Sequence, residues 1–544
     1  MTSTLALAAF VVAAVYALLH ILLDWTQDSR EPRAVERSIP FISPIFGMFR
    51  HKTLYYNQLR FVATTAYPLA CDPMLIRRNR KQGNRLPIYT LRLPNVRAYI
   101  INDAELIPPM QRQWRTISFT PVMAGAGQAT LGMSQAAADL LRKDITSDHN
   151  VVVGMIPLVA RALAPGPKLD AMTRQAAEAM SKGMDQLEPR DGAPATVRLF
   201  EWTWHQLLMG TTEAVYGPKN PYRDPAVEHA WRTFEPRYLT LALSPLKTLT
   251  ASKALQSREL LVVAFKAYLE GGGLETASEW IRASHAHYAS HGFVADDLAR
   301  FEVGHTHAIS NTTAPTSWWL LWHLYSDPAV LREVRAELEA LATTVEEQDG
   351  TLTKTVDLAL VTAVSRAPQC LRLHTIATGV RLCLEDHMLQ DRYLLKKGSV
   401  VIVPQPLHHL STASWGEDAE QFNHRRFVAT PRTAEKEKEA MGSDDKTNVN
   451  KRWRKGYDPA AFRAFGGGHT LCPGRHLSNS EILVFAAMMV LRFDLAPKHG
   501  AGKWEKPTWS QTHMVASLQI PDEDPEIEVR PRDSRIHWRF PGPN

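Results

Sequence analysis

The feature that most constrains this chain is a loop near its C-terminus, Phe465-Gly-Gly-Gly-His-Thr-Leu-Cys472-Pro-Gly-Arg475, followed by a helical pattern from His476. Read from the residues, it presents one cysteine at a helix N-terminus, where unpaired backbone N–H groups and the helix dipole favour sulfur as an anion. Three consecutive glycines permit the backbone to approach a large flat ligand closely. A lone soft thiolate is one of the axial ligands that haem iron takes, so the loop predicts a haem-thiolate site. The plain alternative is a buried cysteine in a glycine-rich turn.

Composition narrows the setting. The chain has 544 residues, 45% of them hydrophobic, enough for a large core. Its four cysteines, Cys71, Cys370, Cys383 and Cys472, show no CxxC pair and no metal-finger spacing, which predicts a reducing compartment where a thiolate stays free. A net charge of +6 is mild for this length, and no basic stripe with interleaved aromatics occurs, so nucleic acid is excluded as the expected partner. A basic face for an acidic redox protein fits better.

Leu5 to Leu23 form an apolar run long enough to span a bilayer core as a helix. A cleaved signal peptide is the competing reading, but no Lys or Arg precedes the run and no small-residue cleavage site follows. Arg30, Arg33 and Arg37 follow it, placing the body on the cytoplasmic side. Pro32, Pro40 and Pro44 predict a stiff non-helical hinge. The stretch from Leu86 to Ile101, with a turn at Pro94-Asn95, predicts a strand hairpin, and mainly helical patterns follow.

From Asp297 to Tyr325 the pattern predicts a long helix, with Asp296 and Asp297 at its positive end. Its middle, Ala308-Ile-Ser-Asn311-Thr312-Thr-Ala-Pro315, predicts a bend with free polar groups. The charged helix from Leu331 to Leu341 sets Arg335 and Glu339 at i,i+4 spacing for an ion pair. Gln369 and Arg372 share one helical face. The segments Gly379 to Glu385 and Tyr393 to Val403 read as strands, the charged stretch Glu435 to Lys455 as a surface insertion, and Met514 to Ile520 and Glu526 to Arg532 as closing strands.

The loop resembles the haem-binding signature of the cytochrome P450 family: aromatic Phe465, then Gly468, Cys472 and Gly474 in register. Asn311 and Thr312 resemble the family's acid-alcohol pair with the acid replaced by an amide, as in the branch that contains sterol hydroxylases and prostacyclin synthase. Gln369 and Arg372 resemble its Glu-x-x-Arg helix, and Arg426 the arginine of its Phe-x-Pro-x-Arg-Phe segment, with His424 where proline is usual. Many relatives carry an arginine two positions before the cysteine to hold a haem propionate; this chain has Thr470, and Arg381, in the place of another propionate arginine, is the candidate to offset it. No Trp-x-x-x-Arg haem grip is present, since Trp114-Arg115 has the wrong spacing.

The resemblance implies a mainly α fold with small β-sheets: a single haem-thiolate catalytic domain over 51–544, a proline hinge over 26–50 and a transmembrane anchor over 1–25. It further implies haem b, bound through Phe465, Gly468, Cys472, Gly474, Arg381 and Arg475 with Cys472 as iron ligand, and catalysis at Thr312 and Asn311. Gln369, Arg372 and Arg426 would form the structural network behind the haem. The implied activity is a monooxygenase of the endoplasmic reticulum membrane, single-pass with a cytosolic catalytic domain. It would draw electrons from NADPH through NADPH-cytochrome P450 reductase, with cytochrome b5 as an optional second donor, and act on a lipophilic sterol, terpenoid or polyketide. Two other readings stand beside it: a haem-thiolate isomerase or dehydratase that needs neither dioxygen nor reductase, suggested by Asn311, and a non-catalytic haem-binding protein, suggested by Gln369, His424 and Thr470 departing together.

Overall fold

The computed structural model describes residues 2–35, 38–51, 86–188, 194–244, 246–346, 352–357, 367–427, 458–499, 502–510, 517–533 and 536–540, with Tyr55, Tyr56 and Leu59. Most of the described chain is helical, with small sheets at the flanks. Thr2–Thr26 is one continuous helix, and its apolar residues are exposed along most of its length. At 1.5 Å per residue it is long enough to cross a hydrocarbon core of about 30 Å. Leu23, only 2% exposed, is where its last turn meets the body.

The expected hinge is neither free nor entirely non-helical. Val35 N donates to Thr90 O at 3.0 Å and Thr90 N to Arg33 O at 2.9 Å, so this segment lies along the first strand. Ser43–His51 then form a helix. Pro44 sits in its first turn, where a missing N–H leaves no intrahelical bond unmade.

The predicted hairpin is present: Ile88–Leu93 pairs antiparallel with Val96–Ile101, from Ile88 against Ile101 to Leu93 against Val96. Asn95 adopts φ 58°, a left-handed conformation that asparagine tolerates. Val400–Pro404 adds in parallel to Val96–Ile101, and Thr378–Cys383 pairs antiparallel with it, setting Arg381 opposite Val401. The expected strand from Tyr393 to Val403 is two strands, Tyr393–Leu395 and Val400–Pro404, because Lys396–Ser399 turn through Gly398 at φ 76°. Glu526–Pro531 closes a second sheet between Phe493–Pro497 and Ala195–Arg198. Of Met514 to Ile520 the first residues lie outside the described ones, and Leu518 makes a single bridge with Thr375. The charged stretch Glu435 to Lys455 also lies outside them.

The core is a stack of helices around Arg475–Arg492, whose residues from Glu481 to Arg492 are all buried. Such all-round burial explains why this helix lacks an amphipathic stripe. Against it packs Thr313–Tyr325, the second half of the predicted long helix; the first half is Ala295–Ser310. The break at Asn311–Thr312 lies one turn before Pro315. A proline there has no N–H to donate to the Asn311 carbonyl and crowds it sterically.

The expected Arg335–Glu339 pair does not form. Arg335 instead reaches Asp494 at 2.7 Å and the carbonyls of Val490 and Phe493, while Glu339 pairs with Arg532 at 2.9 Å. Tertiary neighbours offered both side chains partners better than an exposed i,i+4 contact worth only a few tenths of a kcal/mol.

Candidate functional site

The cysteine loop and the broken helix face one cavity of about 270 Å³, with Ala308, Asn311 and Thr312 on the helix side and Phe465 and Cys472 on the loop side. Cys472 N donates to Phe465 O at 2.9 Å, closing the loop on itself. Arg475, the first residue of the following helix, donates from Nη1 to Cys472 O at 3.0 Å. Burial pushes the Cys472 thiol up, and the backbone N–H groups of Gly474 and Arg475 pull it the other way. Cys370 and Cys383 are buried elsewhere, their thiols pushed up by burial, so among the described residues only Cys472 offers sulfur to this cavity.

Two of the glycines are also needed for close approaches within the protein. A Cβ on Gly468, at φ 67°, would meet Gln111 Cβ at 2.9 Å, and one on Gly467 would collide with the Arg463 guanidinium. Trp114, dismissed on sequence spacing, stacks on His469 with ring centroids 3.9 Å apart, whereas Arg115 turns outward to Asp148.

Arg381 reaches the loop as expected from its strand: Nη2 donates to Thr470 Oγ1 at 2.9 Å and Nη1 to its neighbour's carbonyl, Val380 O. Burial lowers its pKa to about 10. The residue that sequence reasoning missed is Arg463, 8% exposed, whose side chain makes no hydrogen bond or ion pair among the described residues. Burial, and then repulsion from Arg381, lower its pKa to about 10. The signal was available: a single arginine inside the apolar run Ala460-Ala-Phe-Arg463-Ala-Phe465.

Gln369 and Arg372 meet as expected, with Arg372 Nε donating to Gln369 Oε1 at 3.2 Å. Arg372 Nη1 also donates to His409 O at 2.6 Å and Ala419 O at 2.5 Å, and Gln369 Nε2 donates to Gln421 O at 3.1 Å. Arg426 does not contact Gln369 among the described residues. It pairs with Asp418 at 2.6 Å and donates to Trp415 O, so a neighbouring carboxylate has taken up its charge. His424, where proline was expected, lies 3.0 Å from Glu333, which also holds Arg425.

On the helix side, the hydroxyls around the break are not equivalent. Ser310 Oγ donates to Thr306 O, Thr313 Oγ1 to Ile309 O and Thr316 Oγ1 to Thr312 O, at 2.6 to 2.9 Å. Only the Thr312 hydroxyl, on the cavity wall, is uncommitted among these four. The Asn311 amide lies 3.2 Å from His307 Nε2, and His307 stacks on Tyr238 and lies 3.9 Å from Glu235. Burial lowers His307 to about 3 and raises Glu235 to about 7. Glu481, from the helix after the cysteine, also lines the cavity; it is 1% exposed, no cation pairs with it among the described residues, and burial pushes its carboxyl up to about 8 against the opposing pull of the Thr211 hydroxyl beside it.

These residues fit a haem. A lone thiol and apolar walls border the cavity, and the buried Arg463 and half-buried Arg381 guanidiniums, without a carboxylate among the described residues, converge on the cysteine loop, as a ligand with acidic groups requires.

The sequence model of the family described as Cytochrome P450 matches residues 294–522. The cytochrome P450 monooxygenase nodJ of Hypoxylon pulicicidum is 30% identical over 517 residues, covering 93% of this chain and 90% of its own. A cytochrome P450 monooxygenase of Gibberella zeae is 26% identical over 516 residues, covering 92% of this chain and 88% of its own. Among solved structures, a cytochrome P450DA heme domain superposes with a TM-score of 0.58 at 16% identity, over 86% of this chain and 94% of that one, a likeness of fold.

Proposed function

We propose, for a chain that belongs to the cytochrome P450 family and is a haem monooxygenase, that it oxygenates a sterol, terpenoid or polyketide at the endoplasmic reticulum membrane with electrons from NADPH through a reductase. Membership of the family implies haem, a redox partner and a lipophilic substrate. The exposed apolar helix Thr2–Thr26 is consistent with membrane anchoring, and its length supports a single pass. The arginines that follow it support a cytosolic catalytic body. NADPH-cytochrome P450 reductase is the proposed donor, with cytochrome b5 as a second, both acidic-faced proteins suited to a chain of net charge +6.

Cys472 would hold the iron, and Arg381, Arg475 and Arg463 would supply the cationic surroundings of the acidic groups. Haem held there supplies the redox chemistry that puts one atom of dioxygen into the substrate and releases the other as water. The chain's own part is to bind, exclude water and move protons. Leu163, Ile309, Leu371 and Leu518 give the cavity apolar walls that favour a lipophilic substrate over water. Thr312 Oγ1 acts as the proton carrier of the site because a hydroxyl both accepts and donates, whereas the Asn311 amide does not ionise. Asn311, held toward His307, orients the turn that presents Thr312.

The observation that supports this reading most is the uncommitted Thr312 hydroxyl sharing a cavity with the Cys472 thiol. Expression with a reductase and mass spectrometry of lipophilic products tests it, with NADPH consumed in proportion to product. Thr312→Ala should keep NADPH consumption while hydrogen peroxide replaces most of the product. Product formed without NADPH would favour the isomerase reading, and an unchanged product-to-NADPH ratio would remove Thr312 from the proton route.

A further inference from the structure

The last turn of the N-terminal helix is docked on the body through its carbonyl end. Thr26 O accepts from Arg97 Nη2 at 2.7 Å and Arg92 Nη1 at 3.4 Å, and Arg92 Nη2 reaches Thr26 Oγ1 at 3.0 Å. Arg92 and Arg97 are register partners across the first hairpin, so two guanidiniums meet the negative end of the helix dipole side by side.

Beside this joint runs a groove of about 660 Å³ with two unlike ends. Leu19, Leu22 and Ile42 form its apolar walls, and Arg92, Arg97 and Lys397 its cationic rim. Among the described residues, Glu31 is the carboxylate set against the two arginines of that rim, one negative charge for two guanidiniums. Glu31 faces Arg97 Nε at 3.4 Å and already accepts from Tyr99 Oη at 2.7 Å. Arg92 is 8% exposed, its Nη1 and Nη2 are engaged by Gln27 Oε1 at 3.2 Å and by Thr26, and burial followed by repulsion from Arg97 lowers its pKa, so it adds positive charge beneath the rim. The exposed Lys397 ammonium makes no hydrogen bond or ion pair among the described residues; only its backbone N–H is engaged, by Asp386.

The axial offset within the groove selects among anions. Leu19 lies seven residues before Thr26, about 10 Å along the helix axis, which is the separation between a phosphate level and the upper acyl chain. The helix Ser43–His51 and the residues before it extend the apolar surface outward, with Ile39, Ile45 and Phe46 exposed. A small soluble anion would satisfy the rim and leave the apolar walls wet. An amphiphile with an anionic head satisfies both.

We infer that this groove binds one anionic phospholipid, its phosphate at Arg97 and Lys397 and an acyl chain along Leu19, Leu22 and Ile42. The site rests on the membrane-anchor reading above. It gives the joint between anchor and body a lipid component, in the leaflet whose surface carries negative lipids.

The test uses the full-length haem-loaded chain in lipid discs of phosphatidylcholine mixed with phosphatidylserine, followed by transfer to mild detergent and mass spectrometry of retained lipid. The wild type should retain phosphatidylserine several-fold over its share of the mixture. Lys397→Glu should abolish that preference with the haem spectrum and melting temperature unchanged, because this ammonium supports no contact of the fold. Equal retention by wild type and variant overturns the site, and so does displacement of the lipid by inorganic phosphate, which would make it a soluble-anion site. Both proteins should also sediment with vesicles of phosphatidylcholine alone; if neither does, the anchor reading fails and the lipid site with it.

Discussion

Two pairs of arginines, each with one buried and one half-buried member, lie within this catalytic body, and they are satisfied in opposite ways. Arg372 and Arg426 are compensated by the protein itself: His409 O, Ala419 O, Trp415 O, the Gln369 amide and the Asp418 carboxylate take up their donors, with Arg426 Nε alone left unpartnered among them. Arg381 and Arg463 repel each other beside the cysteine loop, with one hydroxyl and one carbonyl between them and no carboxylate among the described residues. The first pair ties segments distant in sequence into a fold. The second pair leaves charge uncompensated, which a protein tolerates where a ligand supplies the missing anion.

The sharpest way to break this contrast is Arg372→Ala. It would orphan the buried carbonyls of His409 and Ala419 at about 1–3 kcal/mol each, so a stability loss of roughly 3–5 kcal/mol is expected in haem-free and haem-loaded protein alike. Denaturant titration of both forms measures it, and a haem-replete Arg372→Ala protein of normal stability would remove the structural role.

Arg463→Ala should behave in the reverse manner. Haem-free stability should hold or rise, because an unpaired buried charge is removed, while haem affinity should fall about tenfold, the loss of one charge-assisted contact worth about 1.5 kcal/mol. Transfer of haem to an excess of a haem-scavenging protein reads the affinity. Adding Thr470→Arg, which restores a cation two positions before Cys472, should recover part of it. Unchanged haem release in Arg463→Ala would mean that the guanidinium serves packing alone.

Glu481 sharpens the comparison from the acidic side. Its carboxyl is raised by burial from the ordinary 4.5 to about 8, so the folded chain holds this proton more tightly than the unfolded one. Its contribution to stability is therefore complete below about pH 4.5 and is lost as pH rises through about 8. Glu481→Gln should flatten the decline of melting temperature across that window in the haem-free protein. An unaltered pH profile would show the acid to be hydrated or paired.

The smallest effect belongs to Gln369→Glu. The Glu-x-x-Arg helix that this segment resembles has glutamate here, and the carboxylate would gain Coulombic attraction to Arg372. It would also lose the Nε2 donor that holds Gln421 O and face that carbonyl oxygen with negative charge. The two terms oppose, so the melting temperature should move by the equivalent of less than about 1 kcal/mol and haem content should stay the same. A large gain would show that Gln421 O finds another donor, and a loss of haem that the network tolerates no further carboxylate.

What could be read from the residues was local. The cysteine loop, the hairpin turn at Pro94-Asn95 and the length of the N-terminal helix depend on neighbours a few positions apart, and each stands where it was expected. The break before Pro315 belongs with them, because a missing N–H acts one turn away whatever packs outside. Partner choice was not local. Arg335 left Glu339 for Asp494 and Trp114 met His469, whereas Arg426 took Asp418, one of the carboxylates nearest to it in sequence. Arg463 carried no pattern beyond its being charged within an apolar run, and its importance comes from lying against Gly467 near Arg381 with nothing among the described residues to neutralise it. Local sequence determines backbone conformation through torsional limits and hydrogen-bond spacing, whereas long charged side chains settle wherever the assembled fold leaves a carboxylate, a carbonyl or an empty place for an anion.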